Sequence, residues 1–399
     1  MADPLRDPAA QYFLGGCALS GLHSQPLVSC QEGSLLTLTS SQTTIKTGIL
    51  FTDNFASAII RAHMKLFAKL LVLGTAFGIL SISAMAQLRI IQTNSGGDNI
   101  SMIDPTTQKV VGEIKGIPLN HGAAAAPDGK TLYFSSEAEQ TLTVVDAKTF
   151  AITKKVKLSG RPNNICIAKD GKRVYVAIVS DPGAVDVIDT TTLEKVKSIP
   201  TKGGVHNVYV TPDGKYMVAG SIAGKNVSVF DAKTDELAWS MFDQGVRPIA
   251  FETNPDGSTK RMFVQLSEFH GFVVVDFAQH KELSRVTLPE IPVAQRDPGP
   301  FNGSPSHGIG VAPDGKTLWV TSRPNQKVYA YSLPDVKLLG EVPIGKSPDW
   351  ITFTPDSKTV YVSTGGVNAV SAIDIATRKE LARITVGDSP KRVITATLH

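Results

Sequence analysis

Three histidines share one position relative to a recurring turn motif. Each lies six residues before the proline of a Pro-Asp-Gly turn: His121, His206 and His307. Because a repeat gives its residues equivalent places, we expect the three imidazoles to converge on one point of the fold. Three neutral imidazoles around an open position suit a transition metal, and Cu, Fe and Zn all accept such ligands. The alternative is that these side chains only pack or form hydrogen bonds in a hydrated channel.

The turn motif recurs six times, so the chain is built from repeated units. The copies are Pro127-Asp128-Gly129, Lys169-Asp170-Gly171, Pro212-Asp213-Gly214, Pro255-Asp256-Gly257, Pro313-Asp314-Gly315 and Pro355-Asp356-Ser357. Successive aspartates are 42, 43, 43, 58 and 42 residues apart. A period in this range indicates supersecondary units that stack on their neighbours.

The unit that spans residues 347–386 predicts four strands. They are Ile351–Phe353, Thr359–Ser363, Ala369–Asp374 and Glu380–Val386. Valine, isoleucine, tyrosine and threonine dominate these segments, and turn residues separate them. Four antiparallel strands cannot bury both of their faces alone, so neighbouring units must pack face to face. The sequence therefore predicts an all-β fold, a β-propeller.

The two ends of the repeat region complete each other. Residues 88–115 supply three strands without a first strand, and residues 390–398 supply a lone first strand. Paired in one sheet, they would form a seventh blade that closes the ring and removes free edges. We therefore predict a seven-bladed propeller over residues 87–399, with four antiparallel strands in each blade.

Alternating strand directions assign every loop to one of two rims. The Pro-Asp-Gly turns share one rim, and the starts of the first strands lie on the opposite rim. The innermost strands line the central channel, so the three histidines are predicted at its mouth. Counting back from the turns assigns this position in the other blades to Asn163, Ile249, Asp349 and Lys391.

Further side chains are predicted around the same mouth. Loops between second and third strands carry candidate catalytic groups, Glu137, Glu268 and His270. The carboxylates could orient an imidazole or act as a general base, and His270 could be a fourth metal ligand, a proton shuttle or a plain loop residue. Candidate substrate contacts for an anionic or aromatic molecule are Arg161, Asn163, Arg247, Arg323, Asp349 and Trp350. The alternative is an ordinary solvated rim.

One insertion interrupts the period. The 58-residue step contains residues 289–305, a Pro- and Gly-rich stretch that leads directly to His307. Long loops without secondary structure are often lids or binding loops. The sequence predicts this loop on the histidine rim, and a plain surface insertion is the alternative.

The N-terminal region does not belong to the repeat. Residues 64–86 combine a basic start, an apolar run and the ending Ala84-Met85-Ala86, which is typical of a secretory signal peptide. A buried N-terminal helix is the alternative. Residues 1–63 are expected to be a non-native or disordered extension. We predict a bacterial periplasmic or secreted protein with no transmembrane anchor after cleavage.

Composition and absent motifs narrow the function. Cys166 is the only cysteine after residue 86, so no intrachain disulfide is expected there, and apolar flanks predict a buried thiol. The net charge of +4 is not clustered, which argues against nucleic acid as a partner. The sequence lacks the haem attachment motif C-x-x-C-H and the G-x-S-x-G nucleophile motif.

The repeat resembles a known family. The phrases TPDGKYMVAGS, APDGKTLWVTS and TPDSKTVYVSTGG, each followed by a V-x-V-x-D-like strand, look like the YVTN-type β-propeller repeat over residues 88–398. The resemblance implies the fold and an exported location. Its relatives include envelope proteins, lactonase-like enzymes, a lyase and a haem-binding propeller, so it implies no single activity.

Two classes of function follow from these observations. The first is a metal-dependent enzyme that acts on a small molecule, by metal-activated water with Zn or by oxygen chemistry with Fe or Cu. The second is a non-catalytic propeller that binds an envelope protein. Within the enzyme class, a lactonase-like hydrolase is the alternative to the metal-dependent enzyme. A Ca²⁺-type lactonase site would require carboxylates and amides, which three histidines do not supply.

Overall fold

The computed structural model describes residues 86–399, which form seven four-stranded antiparallel sheets. Each sheet is one blade of a β-propeller, which confirms the predicted fold and blade number. The predicted extension and almost all of the predicted signal peptide lie outside the described residues. No helix among the described residues is long and apolar enough to span a membrane.

The first four blades contain sixteen strands, and blade one joins the two ends of the described chain. Blade one contains β1 (Gln87–Asn94), β2 (Ile100–Asp104) and β3 (Lys109–Ile114), together with the C-terminal strand β28 (Pro390–Leu398). Blade two contains β4 (Asn120–Ala125), β5 (Thr131–Ser136), β6 (Thr141–Asp146) and β7 (Ile152–Lys157). Blade three contains β8 (Pro162–Ile167), β9 (Arg173–Ile178), β10 (Ala184–Asp189) and β11 (Glu194–Pro200). Blade four contains β12 (Val205–Val210), β13 (Tyr216–Ser221), β14 (Asn226–Asp231) and β15 (Leu237–Met241).

The remaining blades repeat the same order. Blade five contains β16 (Val246–Thr253), β17 (Thr259–Leu266), β18 (Gly271–Asp276) and β19 (Lys281–Thr287). Blade six contains β20 (Ser306–Val311), β21 (Thr317–Ser322), β22 (Lys327–Ser332) and β23 (Leu338–Pro343). Blade seven contains β24 (Pro348–Phe353), β25 (Thr359–Thr364), β26 (Ala369–Asp374) and β27 (Lys379–Thr385), and β28 (Pro390–Leu398) follows. Two 3₁₀ turns lie at Val293–Gln295 and Gly365–Val367.

The ring closes through blade one, as predicted. β28 pairs with β1 in antiparallel register from Gln87 with Leu398 to Gln92 with Val393. The C-terminal strand is therefore the innermost strand of the first blade. This pairing gives β1 a partner on both sides and leaves no open inner edge.

The Pro-Asp-Gly turns form a regular rim because every aspartate makes the same local contact. In the first copy, Asp128 Oδ1 accepts the Lys130 N–H at 3.0 Å, and Gly129 adopts a φ of 69°. This positive φ favours glycine, which five of the six copies have; Ser357 adopts a φ of 57° in the sixth. The turn chemistry explains why the sequence repeats the motif so faithfully.

The hydrophobic core lies between blades, where apolar side chains of adjacent sheets interdigitate. Trp319, Tyr329 and Tyr361 are fully buried in this way. Cys166 lies in β8 and is buried, as predicted. Most side chains of the outermost strands are exposed to solvent, whereas the inner strands are buried. The inner half of each blade lines the channel.

Candidate functional site

Seven residues form a ring around one mouth of the channel, one from each blade. Near its start every first strand has a β-bulge: in blade two, Asn120 pairs with Ser136 and the next pair is Ala123 with Phe134. A bulge redirects the side chain at the extra residue. The mouth residues are His121, Asn163, His206, Arg247, His307, Asp349 and Lys391.

The predicted register is wrong in blade five. The structure places Arg247, not Ile249, in the mouth ring, and Ile249 is buried in the core. Both β16 and β17 have eight residues, and their ladder contains a second register shift between Glu252 and Thr253. The longer hairpin moves the turn two residues further from the mouth, so a fixed count from the turn fails here.

Hydroxyl groups hold the main chain of the ring in place. Four side chains on second strands donate hydrogen bonds to the carbonyl of the next blade's mouth residue: Thr93, Ser135, Thr321 and Ser363. The Ser135 hydroxyl, for example, donates to Asn163 O at 2.6 Å and accepts the Gly122 N–H at 2.7 Å. Sequence reasoning missed these residues, although each is a Ser or Thr near the end of a second strand.

One histidine of the ring forms a dyad with a carboxylate. His121 Nδ1 is hydrogen-bonded to Glu137 Oε1, and Arg161 Nη1 lies 3.2 Å from Glu137 Oε2. The carboxylate assigns the proton to Nδ1, so Nε2 is the acceptor nitrogen of this imidazole. Burial lowers the pKa of His121, Glu137 opposes this effect, and the positive charges of Lys391 and Arg392 add to it. The structure thus brings three predicted site residues, His121, Glu137 and Arg161, into contact. The His121 imidazole is neutral, and Glu137 sets its tautomer.

A second cluster surrounds the carboxylate of Asp349. Arg323 donates from Nε at 2.9 Å and from Nη2 at 2.7 Å to Asp349 Oδ1, and Lys391 Nζ lies 3.4 Å from Oδ2. His307 Nδ1 is 3.6 Å from Oδ1, which is too long for a hydrogen bond. Burial lowers the pKa of Lys391, and Asp349 opposes this effect. Because the Asp349 carboxylate already pairs with Arg323 and Lys391, it is better suited to hold these two side chains than to act as a general base.

An indole and a guanidinium connect the two clusters. The Trp350 ring meets His121 and His307 edge-on, with ring centroids 6.4 Å and 5.5 Å away. The Arg392 guanidinium lies over the Trp350 indole at 3.5 Å from its centroid, a cation–π contact. Trp350 was a predicted site residue, and Arg392 was missed because it follows the ring residue Lys391 by one.

The third ring histidine lies in a positive environment. His206 is half-buried, whereas the other six mouth residues are buried. Burial lowers the pKa of His206 well below its ordinary value, and the nearby charges of Arg247, His121 and Arg161 lower it further. This imidazole is therefore neutral at neutral pH. Asn163, its neighbour in the ring, is fully buried.

Two predicted catalytic residues belong to a different group of contacts. His270 Nε2 is 2.7 Å from the Ser322 hydroxyl of blade six, and burial lowers its pKa. The Glu268 main-chain N–H donates to Gly303 O at 3.0 Å. Both residues thus support blade six and residues 289–305, and the contacts of the His121 dyad do not include them.

The predicted metal site has no geometric support. Among residues 86–399, no group of three or more His, Cys, Asp or Glu side chains is arranged to hold a metal ion. The three histidines share a register, and the Trp350 ring contacts both His121 and His307. Metal binding stays a prediction.

The fold and the bulged mouth ring define a β-propeller with a polar channel mouth. The family model for the YNCE-like beta-propeller matches residues 87–354, which are most of the described chain. The chain therefore belongs to the YNCE-like β-propeller family. No curated protein matches this chain in sequence.

Several solved structures are similar to this chain. Hydrazine synthase of Kuenenia stuttgartiensis is 25% identical with a TM-score of 0.62, over 72% of this chain and 92% of that one. A 6-phosphogluconolactonase, described as putative, from Bacteroides fragilis is 19% identical with a TM-score of 0.63, over 79% and 99% of the two chains. A periplasmic gluconolactonase of Pseudomonas aeruginosa is 17% identical with a TM-score of 0.63, over 78% and 100%. These similarities show the fold, on which unrelated activities occur.

Proposed function

We propose that this protein is a lactonase-like hydrolase that opens small cyclic esters at the channel mouth. The observation that carries the proposal is the His121–Glu137–Arg161 arrangement, a neutral imidazole whose tautomer is set by a carboxylate that an arginine holds in turn. Such a pair is the usual general base for activating water. The mouth ring also supplies positive charge close to this base.

The proposed step needs only groups that the mouth contains. His121 Nε2 accepts a proton from water, and the water oxygen attacks the lactone carbonyl carbon. The ring C–O bond then breaks, and the leaving alkoxide takes the proton back from His121. The product is a hydroxy acid, so lactone and water balance the reaction. Lys391, whose charge acts on His121, would stabilise the negative oxygen that develops during attack.

Two of the similar structures agree with this reaction class. Both are described as lactonases of sugar acids, and each is covered almost completely by this chain. Their identities are too low to transfer an activity, so the argument rests on the dyad, and the similarity only selects which substrate to try first.

The test is the hydrolysis of D-glucono-1,5-lactone, followed by pH-stat and corrected for spontaneous opening. We expect His121→Gln to lower kcat about 100-fold or more, the usual effect of losing a general base. The matched control is His280→Gln, because His280 stacks on Trp239 at 4.4 Å on the opposite rim. Equal rates in the two variants would refute the role of His121, and no enzymatic rate at all would refute the lactonase.

A metal-dependent reaction is the second candidate, because an imidazole bonded to a carboxylate is also the form that metal ligands take. In this case His121 Nε2 would face the metal, and His206 and His307 would be further ligands. The measurement is elemental analysis of protein purified without an affinity tag. Stoichiometric Cu, Fe or Zn that is lost in His121→Gln would support this candidate. If neither metal nor hydrolysis is found, the non-catalytic envelope-binding propeller is favoured.

We also propose that the protein is exported, as the segment 64–86 predicts. One similar structure is a periplasmic protein, which agrees with this location. N-terminal sequencing of protein from a bacterial periplasm should give Gln87 as the first residue. A first residue at Met1 in the cytosolic fraction would refute export.

A further inference from the structure

The loop 289–305 is attached at its base to blade six. Asn325 Nδ2 donates to Pro289 O at 2.7 Å, and the Asp297 N–H donates to Pro324 O at 2.9 Å. These contacts use groups outside the mouth ring. They fix where the loop starts, and they leave its second half, residues 299–305, to be held by something else.

Two arginines of the mouth hold the tip of this loop. Arg247 Nη2 donates to Asn302 O at 2.7 Å, and Arg323 Nη1 donates to Phe301 O at 3.1 Å. The tip turns with Gly303 at a φ of 70°, and a Cβ there would lie 2.5 Å from Glu268 Oε1 and 3.0 Å from Arg247 Nη2. Glycine at this position therefore allows the tip to lie close to Glu268 and to the Arg247 guanidinium.

Both guanidinium groups are anchored on the mouth side. Arg247 Nε donates to the Ser267 hydroxyl at 2.9 Å, and Arg323 binds the ring residue Asp349 through Nε and Nη2. Each arginine thus keeps a fixed position and directs another N–H group at a carbonyl of the loop. The two acceptors are the carbonyl oxygens of adjacent residues, Phe301 and Asn302.

The acceptors that the loop offers are neutral, and this has a consequence for binding. An arginine and a carboxylate attract each other as opposite charges and can form two parallel N–H···O bonds, neither of which a neutral carbonyl group offers. A carboxylate that reaches Arg247 and Arg323 would therefore compete successfully with the two carbonyl groups. The loop contains no acidic residue within 298–305 that could offer an equal acceptor.

We propose that Arg247 and Arg323 form the carboxylate subsite of the mouth, and that the tip of loop 289–305 occupies this subsite until an anionic ligand displaces it. The proposal rests on the mouth being the ligand site, as in the proposed function. It adds that ligands are selected for a carboxylate and that binding releases the loop.

Chymotrypsin cleavage after Phe301 measures the release of the tip, because Arg323 holds the carbonyl of this residue. Cleavage at this bond is followed by mass spectrometry in sodium gluconate and in sorbitol, which has the same six-carbon chain without the carboxylate; sodium chloride balances the ionic strength. We expect gluconate to raise the cleavage rate several-fold over sorbitol. An equal or lower rate in gluconate would overturn the competition.

Variants that lack one of the two arginines test whether these side chains hold the tip of the loop. Arg247→Gln and Arg323→Gln should each raise the cleavage rate in sorbitol and reduce the further effect of gluconate. The control is Arg383→Gln, because Arg383 pairs with Glu380 on the outermost strand of blade seven, at 3.0 Å. Unchanged cleavage in both folded variants would refute the anchoring role, and the wild-type comparison stands even if a variant does not fold.

The outcome is independent of catalysis. If gluconate releases the loop but lactone is not hydrolysed, the subsite is correct and only the proposed reaction fails. If lactone is hydrolysed but gluconate leaves cleavage unchanged, the reaction holds and the subsite is wrong.

Discussion

The two rims of this propeller differ in how strictly the blades repeat. On the turn rim the same contact recurs, an aspartate Oδ1 that accepts the N–H two residues later, as at Asp213 and Asp314. On the mouth rim the residue at the equivalent position differs between neighbouring blades. The seven residues there include imidazole, amide, guanidinium, carboxylate and ammonium groups. Repetition therefore marks the part of the blade that stabilises the fold, and variation marks the part that is available for chemistry.

The bulge explains how one scaffold supports both behaviours. Ladder pairing fixes the strand on the turn side, whereas the bulge and the Ser or Thr hydroxyls hold the main chain at the mouth without using the mouth side chains. A mouth residue can then change its type while the backbone stays in place. Changes on the turn rim should affect folding, and changes on the mouth rim should affect activity.

The largest effect is expected from removing the strand that both rims require. Deleting residues 393–399 removes most of β28 and exposes the edge of β1. We expect loss of the folded monomer and aggregation, measured by size-exclusion chromatography with light scattering. Deletion of His399 alone, which follows β28, is the control and should leave a monomer. A monomeric 393–399 deletion with unchanged melting would contradict ring closure.

A large effect confined to activity is expected from Glu137→Gln. The amide cannot hold the imidazolium that forms during catalysis, so kcat for gluconolactone should fall about 10- to 100-fold. Thermal unfolding should change little, because Glu137 lies in a loop rather than in the ladder. A variant with normal kcat and a much lower melting temperature would show that Glu137 stabilises the fold. This result would contradict the division of stability and activity between the two rims.

A smaller effect is expected on the pH dependence of stability. His206 has a pKa well below the ordinary 6.5 in the folded chain because of burial and nearby positive charge. Below pH 6.5 the unfolded chain therefore binds a proton that the folded chain does not, and stability falls as the pH falls. His206→Gln should therefore flatten the pH dependence of the urea-unfolding free energy between pH 6.5 and 5 relative to the wild type. An unchanged slope in His206→Gln would contradict this.

The smallest effect is expected on the turn rim. Asp213 Oδ1 accepts the Lys215 N–H at 3.2 Å and the Thr211 hydroxyl at 2.7 Å. Asp213→Ala should lower the free energy of unfolding by about 1 kcal/mol in urea titrations and leave kcat unchanged. Asp243→Ala, in an exposed loop of the mouth rim, is the comparison for a surface aspartate. A loss of activity in Asp213→Ala without loss of stability would remove the distinction between the rims.

Much of the fold could be predicted because local rules determine it. The Pro-Asp-Gly turns, the alternating strands and the complementary ends predict seven blades, the closure by β28 and the rim on which the histidines lie. The ring residue predicted for blade five, Ile249, was wrong, because the hairpin length varies and the turn is a distant reference point; Arg247 lies at that position.

The site was less predictable because it depends on contacts between blades. The pairing of His121 with Glu137 joins an innermost strand to a loop sixteen residues later, and the sequence gives only their common rim. The loop contacts of Arg247 and Arg323 depend on where residues 289–305 fold back, which no local pattern determines. Shared register predicts proximity to the channel, but the reach and direction of a side chain also depend on its neighbours.

The most direct test of the central proposal is the pH dependence of kcat/KM for gluconolactone in wild type and Glu137→Gln. A neutral His121 as base predicts that kcat/KM falls on the acid side with an apparent pKa below 6.5, because burial lowers the pKa of this imidazole. Glu137 raises that pKa, so Glu137→Gln should move the acid limb to still lower pH while reducing the plateau. If the acid limb of the pH profile stays at the same pH in Glu137→Gln, or persists in His121→Gln, the His121–Glu137 pair is not the general base.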